Sequence, residues 1–148
     1  MINWFLNWVT RRPPDVNIRD NYLHRWWVIP RNRIFNIYLH HIMGSDDKRA
    51  LHDHPWYNIS IVLRGQYTEI LPGLLGGHKR LRKAGHVLFR KGTSRHRLVV
   101  EEGGEGAWTL FITGPKYREW GFHCSKGWVH WKIFCDPEDK GLEGRGCE

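Results

Sequence analysis

The sequence predicts an all-β protein, a sandwich or barrel built from many short strands. Apolar and polar residues alternate from Phe35 to His40, which is the period-two pattern of a strand with one buried face. Similar short segments follow at residues 58–63, 67–71, 87–89, 96–100, 108–113, 120–124 and 128–134. Turn sequences such as Gly103-Gly104 and Gly114-Pro115 separate most of them, and no helical pattern intervenes. This arrangement favours a β-sandwich or barrel.

The two ends of the chain differ from the predicted barrel, which we place at residues 16–135. Residues 2–9 carry apolar side chains at helical spacing, and Pro13-Pro14 ends that helix. Residues 1–15 therefore form a helical arm that packs on the barrel or on a second subunit, which makes a homodimer the expected assembly. Arg11 and Arg12 leave a membrane-surface anchor as the alternative. Residues 136–148 are charged and glycine-rich, and we expect a flexible tail.

Composition indicates one packed globular domain. The chain has 148 residues, of which 41% are apolar and 14% aromatic, enough for a sizeable core. The apolar stretch near the N-terminus lacks the features of a signal peptide and is too short to span a bilayer. Three cysteines, Cys124, Cys135 and Cys147, show no framework spacing, so we expect a cytoplasmic protein with reduced, buried thiols.

The chain is basic, with a formal net charge of +8. Eight lysines and arginines fall between residues 79 and 97. Such a cluster suits a nucleic acid or another anionic partner. It also suits a solvated barrel rim, and we favour this second interpretation because no nucleic-acid recognition motif accompanies the charge.

The strongest functional motif is His52-Asp53-His54. Two histidines one residue apart on a strand point to the same face, and a third histidine from another strand completes a metal site. His96 is the candidate for the third ligand. Imidazole nitrogens suit iron, zinc, copper and nickel. The sequence therefore predicts a divalent transition-metal site, although histidines bonded inside a metal-free barrel stay an alternative.

The spacing around these histidines resembles the two motifs of the cupin superfamily. His52, His54, Asn58 and Gly65 fall where the first motif has His-x-His, a carboxylate and a glycine, and Gly85 and His96 match the second. The chain departs at Asp46, where the motif opens with glycine, at Lys91, where it has a turn proline, and at Asn58, which replaces the carboxylate ligand. The resemblance implies a cupin-type double-stranded β-helix, a jelly-roll barrel, as in small single-domain bacterial and phage cupins.

A narrower resemblance is to the cysteine-dioxygenase-type cupins, carried by Arg31-Asn32, His52-Asp53-His54, Leu63-Arg64-Gly65 and His96-Arg97. It implies that His52, His54 and His96 bind Fe(II), with Zn or Ni as alternatives. It also implies that Arg31 or Arg33 binds the carboxylate of a small anionic substrate. The tyrosine of that family is missing, because Phe111 to Pro115 occupies the corresponding segment.

Two polar residues beside the histidines complete the candidate site. Glu69 is a candidate catalytic base or fourth ligand, and Asn58 a candidate for binding substrate or orienting water. Together these features favour a metal-dependent, Fe(II) dioxygenase-like enzyme. A non-catalytic small-molecule or sugar-binding cupin is one alternative, and a metal-free epimerase or isomerase with a histidine base is the other. Fold does not decide among them.

Overall fold

A computed structural model describes residues 1–135, 138 and 144–148 of the chain. Strands dominate it, and the described residues also include three short helices. In chain order the elements are α1 (Ile2–Val9), β1 (Val16–Ile18), α2 (Arg19–Tyr22), β2 (Leu23–Trp27), β3 (Asn36–Ile42), β4 (Leu51–His52), β5 (Asn58–Leu71), a 3-10 turn (Leu74–Gly76), β6 (His78–Lys83), β7 (Val87–Arg90), β8 (Arg97–Val99), β9 (Ala107–Thr113), β10 (Gly121–Cys124), β11 (Gly127–His130) and α3 (Trp131–Cys135).

All strand pairs are antiparallel, and they form two sheets that face each other. The larger sheet has the order β1-β2-β3-β9-β5-β6, with β7 and β8 also paired to β5. The smaller sheet has the order β11-β10-β4. A single bridge between His52 and His96 joins β4 to the residue that precedes β8. The predicted all-β barrel is confirmed.

The long strand β5 links the two halves of the barrel. Its first half pairs with β9 and β7, and its second half pairs with β6 and β8. The register to β9 shifts between Val62 and Arg64, which marks a bulge where the strand bends. At the bend Gly65 has a φ of 76°, and a Cβ atom there would lie 2.0 Å from the carbonyl oxygen of Gly106. Glycine at position 65 is thus required by both conformation and space.

The same strand corrects one prediction from the sequence. The sequence predicts separate strands at residues 58–63 and 67–71 with a turn at Arg64-Gly65 between them. Hairpin pairing would then bring Glu69 near Ser60. The two segments are instead two parts of β5, and Glu69 lies across from Arg80 of β6 and Leu98 of β8. Glycine marks a bend within a strand as readily as a turn between two.

Other differences concern elements with a weak sequence pattern. Strands β1, β2 and β6 were not predicted, because β1 has three residues and β6 is almost entirely charged. Residues 128–134 were expected to form one strand. The strand ends at His130, and Trp131–Cys135 form α3, whose Phe134 stacks on Phe122 with ring centroids 3.7 Å apart.

The barrel interior has an apolar end and a polar end. Ile42, Val62, Tyr67, Val100 and Ala107 pack together as the apolar cluster. The inward residues farther along the same strands are polar and buried, among them His40, Asn58 and Thr113. A core that turns polar at one end is the arrangement expected of a binding cavity rather than of simple packing.

Helix α1 covers the outer face of the larger sheet. Leu6 and Val9 are buried against Trp26 and Leu39, so the helix packs on its own barrel, which is one of the two arrangements expected from the sequence. The other face of the helix remains open, because Trp4 is 68% exposed.

The cysteines and the C-terminal residues depart from expectation. Cys124 of β10 and Cys147 form a disulfide, so two of the three thiols are not reduced as predicted; Cys135 is free. Part of the predicted flexible tail, residues 136, 137 and 139–143, lies outside the described residues. Residues 144–148 are anchored by the disulfide and by a hydrogen bond from the Gly146 amide to the Phe134 carbonyl. A cytoplasmic location stays a prediction.

Truncating Leu6 should measure how strongly α1 is attached. Leu6 is 4% exposed, and we expect Leu6→Ala to lower the free energy of unfolding by about 2–4 kcal/mol, the usual result for a buried leucine. Ile2 lies on the same helix but is 48% exposed, so Ile2→Ala is the matched control and should change stability much less. Urea unfolding of both variants tests this. Equal effects would show that the helix is not held by its buried face.

Candidate metal centre

Three histidines converge at the polar end of the barrel. The ring centroids of His52, His54 and His96 are 4.9–5.1 Å apart in each of the three pairs. One ligand atom from each ring lies within 4.8 Å of the others. The structure thus brings together the three residues that the sequence singled out.

Backbone pairing places these rings. The amide of His52 donates to the carbonyl of His96 and the reverse bond is also made, both at 2.9 Å. The amide of His54 donates to the carbonyl of Gly92. Strand β4 ends at His52, and the same alternation continues over the next two residues, so His52 and His54 face the interior while Asp53 faces the other side.

The carboxylate of Glu69 holds the ring of His96 in place through a hydrogen bond to Nδ1. Glu69, 1% exposed, has Oε1 2.7 Å from Nδ1 of His96. Arg90 donates to the same carboxylate through Nε at 2.9 Å and through Nη2, and Arg82 donates to Oε2 at 2.7 Å. Glu69 therefore fixes the ring orientation of His96 and leaves its Nε2 atom directed away from the carboxylate.

Charge keeps Glu69 ionised. Burial alone would raise the pKa of this carboxyl group, but the hydrogen bond from His96 and the charge of Arg90 hold the pKa far below its usual range. A carboxylate with so low a pKa and no free position is a poor proton acceptor. The structure thus favours an orienting role for Glu69 over the catalytic base or fourth ligand considered from the sequence.

A second carboxylate lies behind His52. Oδ2 of Asp46 is 3.6 Å from Nδ1 of His52, which is too long for a hydrogen bond but close enough for electrostatic attraction. The Leu98 amide donates to this oxygen at 2.6 Å, and the Tyr22 hydroxyl donates to the other one. Asp46, which the sequence marked only as a departure from a glycine, is thereby fixed beside the site.

Two of the three histidines, His52 and His54, are neutral near pH 7. Burial lowers the pKa of His52 to about 4, even though Asp46 opposes the shift. Burial and the neighbouring rings His96 and His52 lower the pKa of His54 well below 6.5. Neutral imidazole is the form that binds metals.

The residues present fit a metal ion. Bonds of about 2.0–2.1 Å require donor nitrogens about 3–3.5 Å apart, so the rings need only a modest contraction from 4.8 Å. In addition, Nδ1 of His54 is buried without a hydrogen-bond partner in the described part of the chain. Three imidazoles, one of them hydrogen-bonded to a carboxylate, form a donor set for iron, zinc, nickel or copper.

Two buried polar side chains on β5 and β9 have no hydrogen-bond partner in the described part of the chain. Asn58 is 2% exposed, and neither side-chain polar atom has a hydrogen-bond partner among the described residues. The same holds for the hydroxyl of Thr113, whose Cα pairs with that of Asn58 across β5 and β9. Buried polar groups without partners are uncommon and indicate a place where water or ligand binds.

Arg31 and Arg33 lie at the surface, on the connection between β2 and β3. The guanidinium of Arg31 stacks on Trp27, with Cζ 5.5 Å from the ring centroid. Their expected contact with a substrate carboxylate therefore stays a prediction.

Asp53 and His123 turn away from the three histidines. Asp53 is fully buried and accepts hydrogen bonds from the Gly121 amide at 2.9 Å and from Trp128 at 3.1 Å. Arg118 and His123 also contact it. Asp53 thus ties β4 to the smaller sheet, and His123 is held at this structural junction rather than in the candidate site.

Sequence reasoning missed several residues of the cavity. Phe111, noted only for replacing a tyrosine, lies with its ring centroid 6.2 Å from that of His54 and 5.0 Å from that of His40. Nε of Arg25 donates to Nε2 of His40 at 2.8 Å. Arg25 and His40 lie opposite each other on the adjacent strands β2 and β3. Recognising β2 in the sequence would have placed Arg25 on the inner face of the sheet.

The basic segment at residues 79–97 does not act as one surface. Arg82 and Arg90 turn inward to Glu69. Arg95 and Arg97 line a separate surface groove of about 470 Å³ together with Lys48, Arg49 and His123. At least two of the eight cations are therefore internal and structural.

Comparison with solved structures identifies the fold. The chain is similar to an uncharacterised conserved protein with a double-stranded β-helix domain from Klebsiella pneumoniae, at 18% identity and a TM-score of 0.54, over 72% of this chain and 89% of the other. It is similar to the Fe(II) form of HppE at 17% identity and a TM-score of 0.54, over 70% of this chain and 57% of HppE. It is also similar to a mannose-6-phosphate isomerase candidate from Ralstonia eutropha, at 20% identity and a TM-score of 0.55, over 68% and 92%.

These likenesses show the cupin fold, as the sequence motifs implied. No family model and no curated protein matches the chain by sequence. The described residues include no helix long and apolar enough to cross a membrane.

Glu69→Gln should reveal the buried carboxylate through the pH dependence of stability. Removing one partner of a buried ion pair lowers the free energy of unfolding by about 3–5 kcal/mol near pH 7. Because the folded-state pKa is depressed, this contribution is present above the unfolded-state pKa of about 4.3 and is lost as the pH falls below it. Wild type and variant should therefore converge between pH 4 and 2 in urea unfolding.

Glu119→Gln is the control for that experiment. Glu119 pairs with Lys116 at the surface, with 53% of its side chain exposed, so its removal should leave stability unchanged at every pH. A gap between wild type and Glu69→Gln that stays constant down to pH 2 would contradict the assigned charge of Glu69.

Proposed function

We propose that the protein is a metal-dependent cupin enzyme that binds one divalent transition metal through His52, His54 and His96. Fe(II) is the metal we favour, and the reaction class is that of a dioxygenase acting on a small anionic metabolite. The observation that carries the proposal is the convergence of three imidazoles, with ligand atoms within 4.8 Å of one another.

The hydrogen bond between His96 and Glu69 supports this function independently of the convergence of the three histidines. A buried, ionised carboxylate bonded to the second nitrogen of a ring is the usual partner of a metal-binding histidine. It fixes the tautomer, so that Nδ1 carries the proton and Nε2 is the ligand. Two arginines held on the other side of Glu69 prevent it from moving into the coordination sphere.

A bound Fe(II) would supply open coordination positions for substrate and dioxygen. The chain's own residues have simpler tasks. The three histidines would hold the ion without cancelling its charge, because a metal-bound imidazole contributes no negative charge. Asn58 offers an amide to a bound ligand or water, and Phe111 with Trp56 forms an aromatic wall near His54 that limits access of water.

The uncompensated charge supports an anionic substrate. A carboxylate at the fourth position, as in the cupin motif, would neutralise part of the metal's charge, and Asn58 does not. An anion is therefore favoured at the open positions. The similarity to Fe(II) HppE agrees with iron chemistry on this fold, but an identity of 17% does not indicate which substrate this chain binds.

A metal-free isomerase is the second candidate, since one specific contact also fits it. A histidine hydrogen-bonded to a buried carboxylate is a general-base arrangement, and His96 with Glu69 at 2.7 Å has this geometry. The isomerase candidate among the similar structures has the same fold. Metal content separates the two functions.

Metal binding should show a stoichiometry of one per chain. Protein purified without chelator and reconstituted with Fe(II) or Zn(II) is analysed by elemental mass spectrometry. His52→Ala, His54→Ala and His96→Ala should each lose the metal but keep a cooperative unfolding transition, because the apolar core does not include them. Glu69→Gln should weaken metal affinity by about 10–100-fold.

His78→Ala is the matched control, since His78 is exposed on β6 and outside the cluster. A stoichiometry near zero for wild type with every metal would leave the metal-free isomerase. With the metal in place, oxygen consumption is measured with thiol, 2-oxo-acid and sugar-phosphate substrates. No uptake with any of them, with iron bound, would contradict the dioxygenase class.

A homodimer is the proposed assembly, formed through the exposed face of α1. Trp4 and Trp8 stack with ring centroids 6.4 Å apart and are 68% and 48% exposed. Such aromatic surface is expected to be covered by a partner. Trp4→Ser with Trp8→Ser should give a monomer in sedimentation velocity. Phe89→Ser, which removes a 65% exposed ring from β7, should not. The opposite result would place the interface on the sheet.

A further inference from the structure

A groove on the outside of the barrel takes no part in the proposed function. It has a volume of about 470 Å³ and lies where β4 and β8 approach the connection that follows β5. Leu51, Ile70 and Pro72 give it an apolar surface, and three glycines of that connection also line it. A cavity of this size suits a small organic molecule rather than a single ion.

Strand alternation separates this groove from the three histidines. The side chain of His96 faces the interior, so its neighbours Arg95 and Arg97 face outward. The register agrees, because Arg97 lies opposite Ile70 of β5, and both residues line the groove. The groove therefore lies on the outer side of the wall that carries His96.

Three cations that line the groove have no counter-ion. None of the side chains of Lys48, Arg95 and Arg97 has a hydrogen-bond or ion-pair partner in the described part of the chain. The described residues that line the groove include no carboxylate. Lys48 and Arg95 are exposed, whereas Arg97 is partly buried, so its charge is screened less. Unbalanced positive charge beside an apolar concave surface attracts an anion.

Two other basic residues of the groove are already bonded to acids. Arg49 forms an ion pair with Asp47 at 2.6 Å, and Nε2 of His123 lies 2.8 Å from Oδ2 of Asp53. These contacts hold both side chains as part of the groove wall. The chain thus supplies acids for the basic residues that build the wall and leaves the other three cations unbalanced.

We propose that this groove is a second ligand site, separate from the three histidines, for a phosphorylated small molecule of about the size of a nucleotide. Its phosphate groups contact Arg95, Arg97 and Lys48, and its less polar part lies over Leu51 and Pro72. Arginine binds phosphate oxygens through paired hydrogen bonds, and lysine adds a point charge, so these cations suit phosphate better than a single carboxylate. The site is independent of the proposed function and needs no bound metal.

A nucleic acid fits these observations less well. A polymer backbone needs cations along an extended stripe, whereas Arg82 and Arg90 of the basic segment turn inward to Glu69. The three unpaired cations of the groove line a single cavity instead. A ligand of limited length matches that arrangement.

ADP is the probe for this site. Wild type is dialysed free of metal and titrated calorimetrically with ADP, pyrophosphate and adenosine at an ionic strength of about 0.15 M, which screens distant surface charges. We expect ADP to bind. Pyrophosphate should bind more weakly because it lacks the less polar part, and adenosine should show no binding because it lacks the phosphates. A Zn(II)-loaded sample is titrated in parallel, and a single-stranded oligonucleotide is the polymer probe.

A pair of double variants locates the binding. Arg95→Gln with Arg97→Gln should weaken ADP binding at least about tenfold in both samples, because two charge-assisted hydrogen bonds are lost. Arg80→Gln with Lys91→Gln is the matched control, since it removes the same charge from exposed positions of the same basic segment outside the groove. Its affinity for ADP should match that of wild type. Thermal unfolding checks that every variant is folded.

ADP binding to metal-free protein that is lost in the groove variant and kept in the control supports the site. No ADP binding to metal-free wild type overturns it. Equal weakening in the two double variants also overturns it, because net charge alone would then explain the affinity. Pyrophosphate that binds as tightly as ADP contradicts the assigned size of the ligand, and an oligonucleotide that binds where ADP does not would assign the groove to nucleic acid. None of these results bears on the metal-dependent function, which metal content and oxygen uptake decide.

Discussion

The barrel and its candidate site both depend on the hydrogen bonds and ion pairs of the buried Glu69 carboxylate. Glu69 lies on β5 and is held by Arg90 of β7 and Arg82 of β6, while its third contact is His96 beside β8. One charged group thus joins the strands that flank the bend in β5. The same group aims a candidate metal ligand, so loss of the carboxylate would disturb the structure and the site together. Arg82 and Arg90 both form ion pairs with Glu69. This explains why these two arginines point inward, although the sequence suggested that they are surface charges.

The sequence predicted the three histidines because strand periodicity and motif spacing are local properties that survive without tertiary information. It also predicted an all-β barrel and α1. It did not predict which carboxylate would stand behind which ring. That depends on strand pairing across 27 residues for Glu69 and His96, and no local pattern encodes such a pairing. Glu69 was recognised as a site residue but its role was not, because a turn at Gly65 was expected where the chain bends.

Arg25 was missed for a related reason. Strand β2 has five residues, Leu23–Trp27, and its two adjacent tryptophans hide the alternation that would assign an inside and an outside. Pairing with β3 settles it, since Trp26 joins the cluster under α1 and Arg25 lies opposite His40. Tertiary context overrides weak local preference most easily in short strands. The N-terminal helix therefore affects the site indirectly. It covers the outer face of the sheet, on which Trp26 packs, and the neighbouring Arg25 then faces the interior.

The replacement of a carboxylate ligand by Asn58 fits this charge distribution. Near the three histidine rings, Glu69 is neutralised by two arginines, and Arg25 has no acid beside it in the described part of the chain. A divalent ion would add further positive charge. A glutamate at position 58 would have balanced part of that charge from within the protein. With asparagine at position 58, that positive charge is left for a bound ligand to balance. The unpartnered amide nitrogen and oxygen of Asn58 can hydrogen-bond to the same ligand. We therefore expect the proposed metal site to favour anions, because its own residues leave part of the positive charge unbalanced.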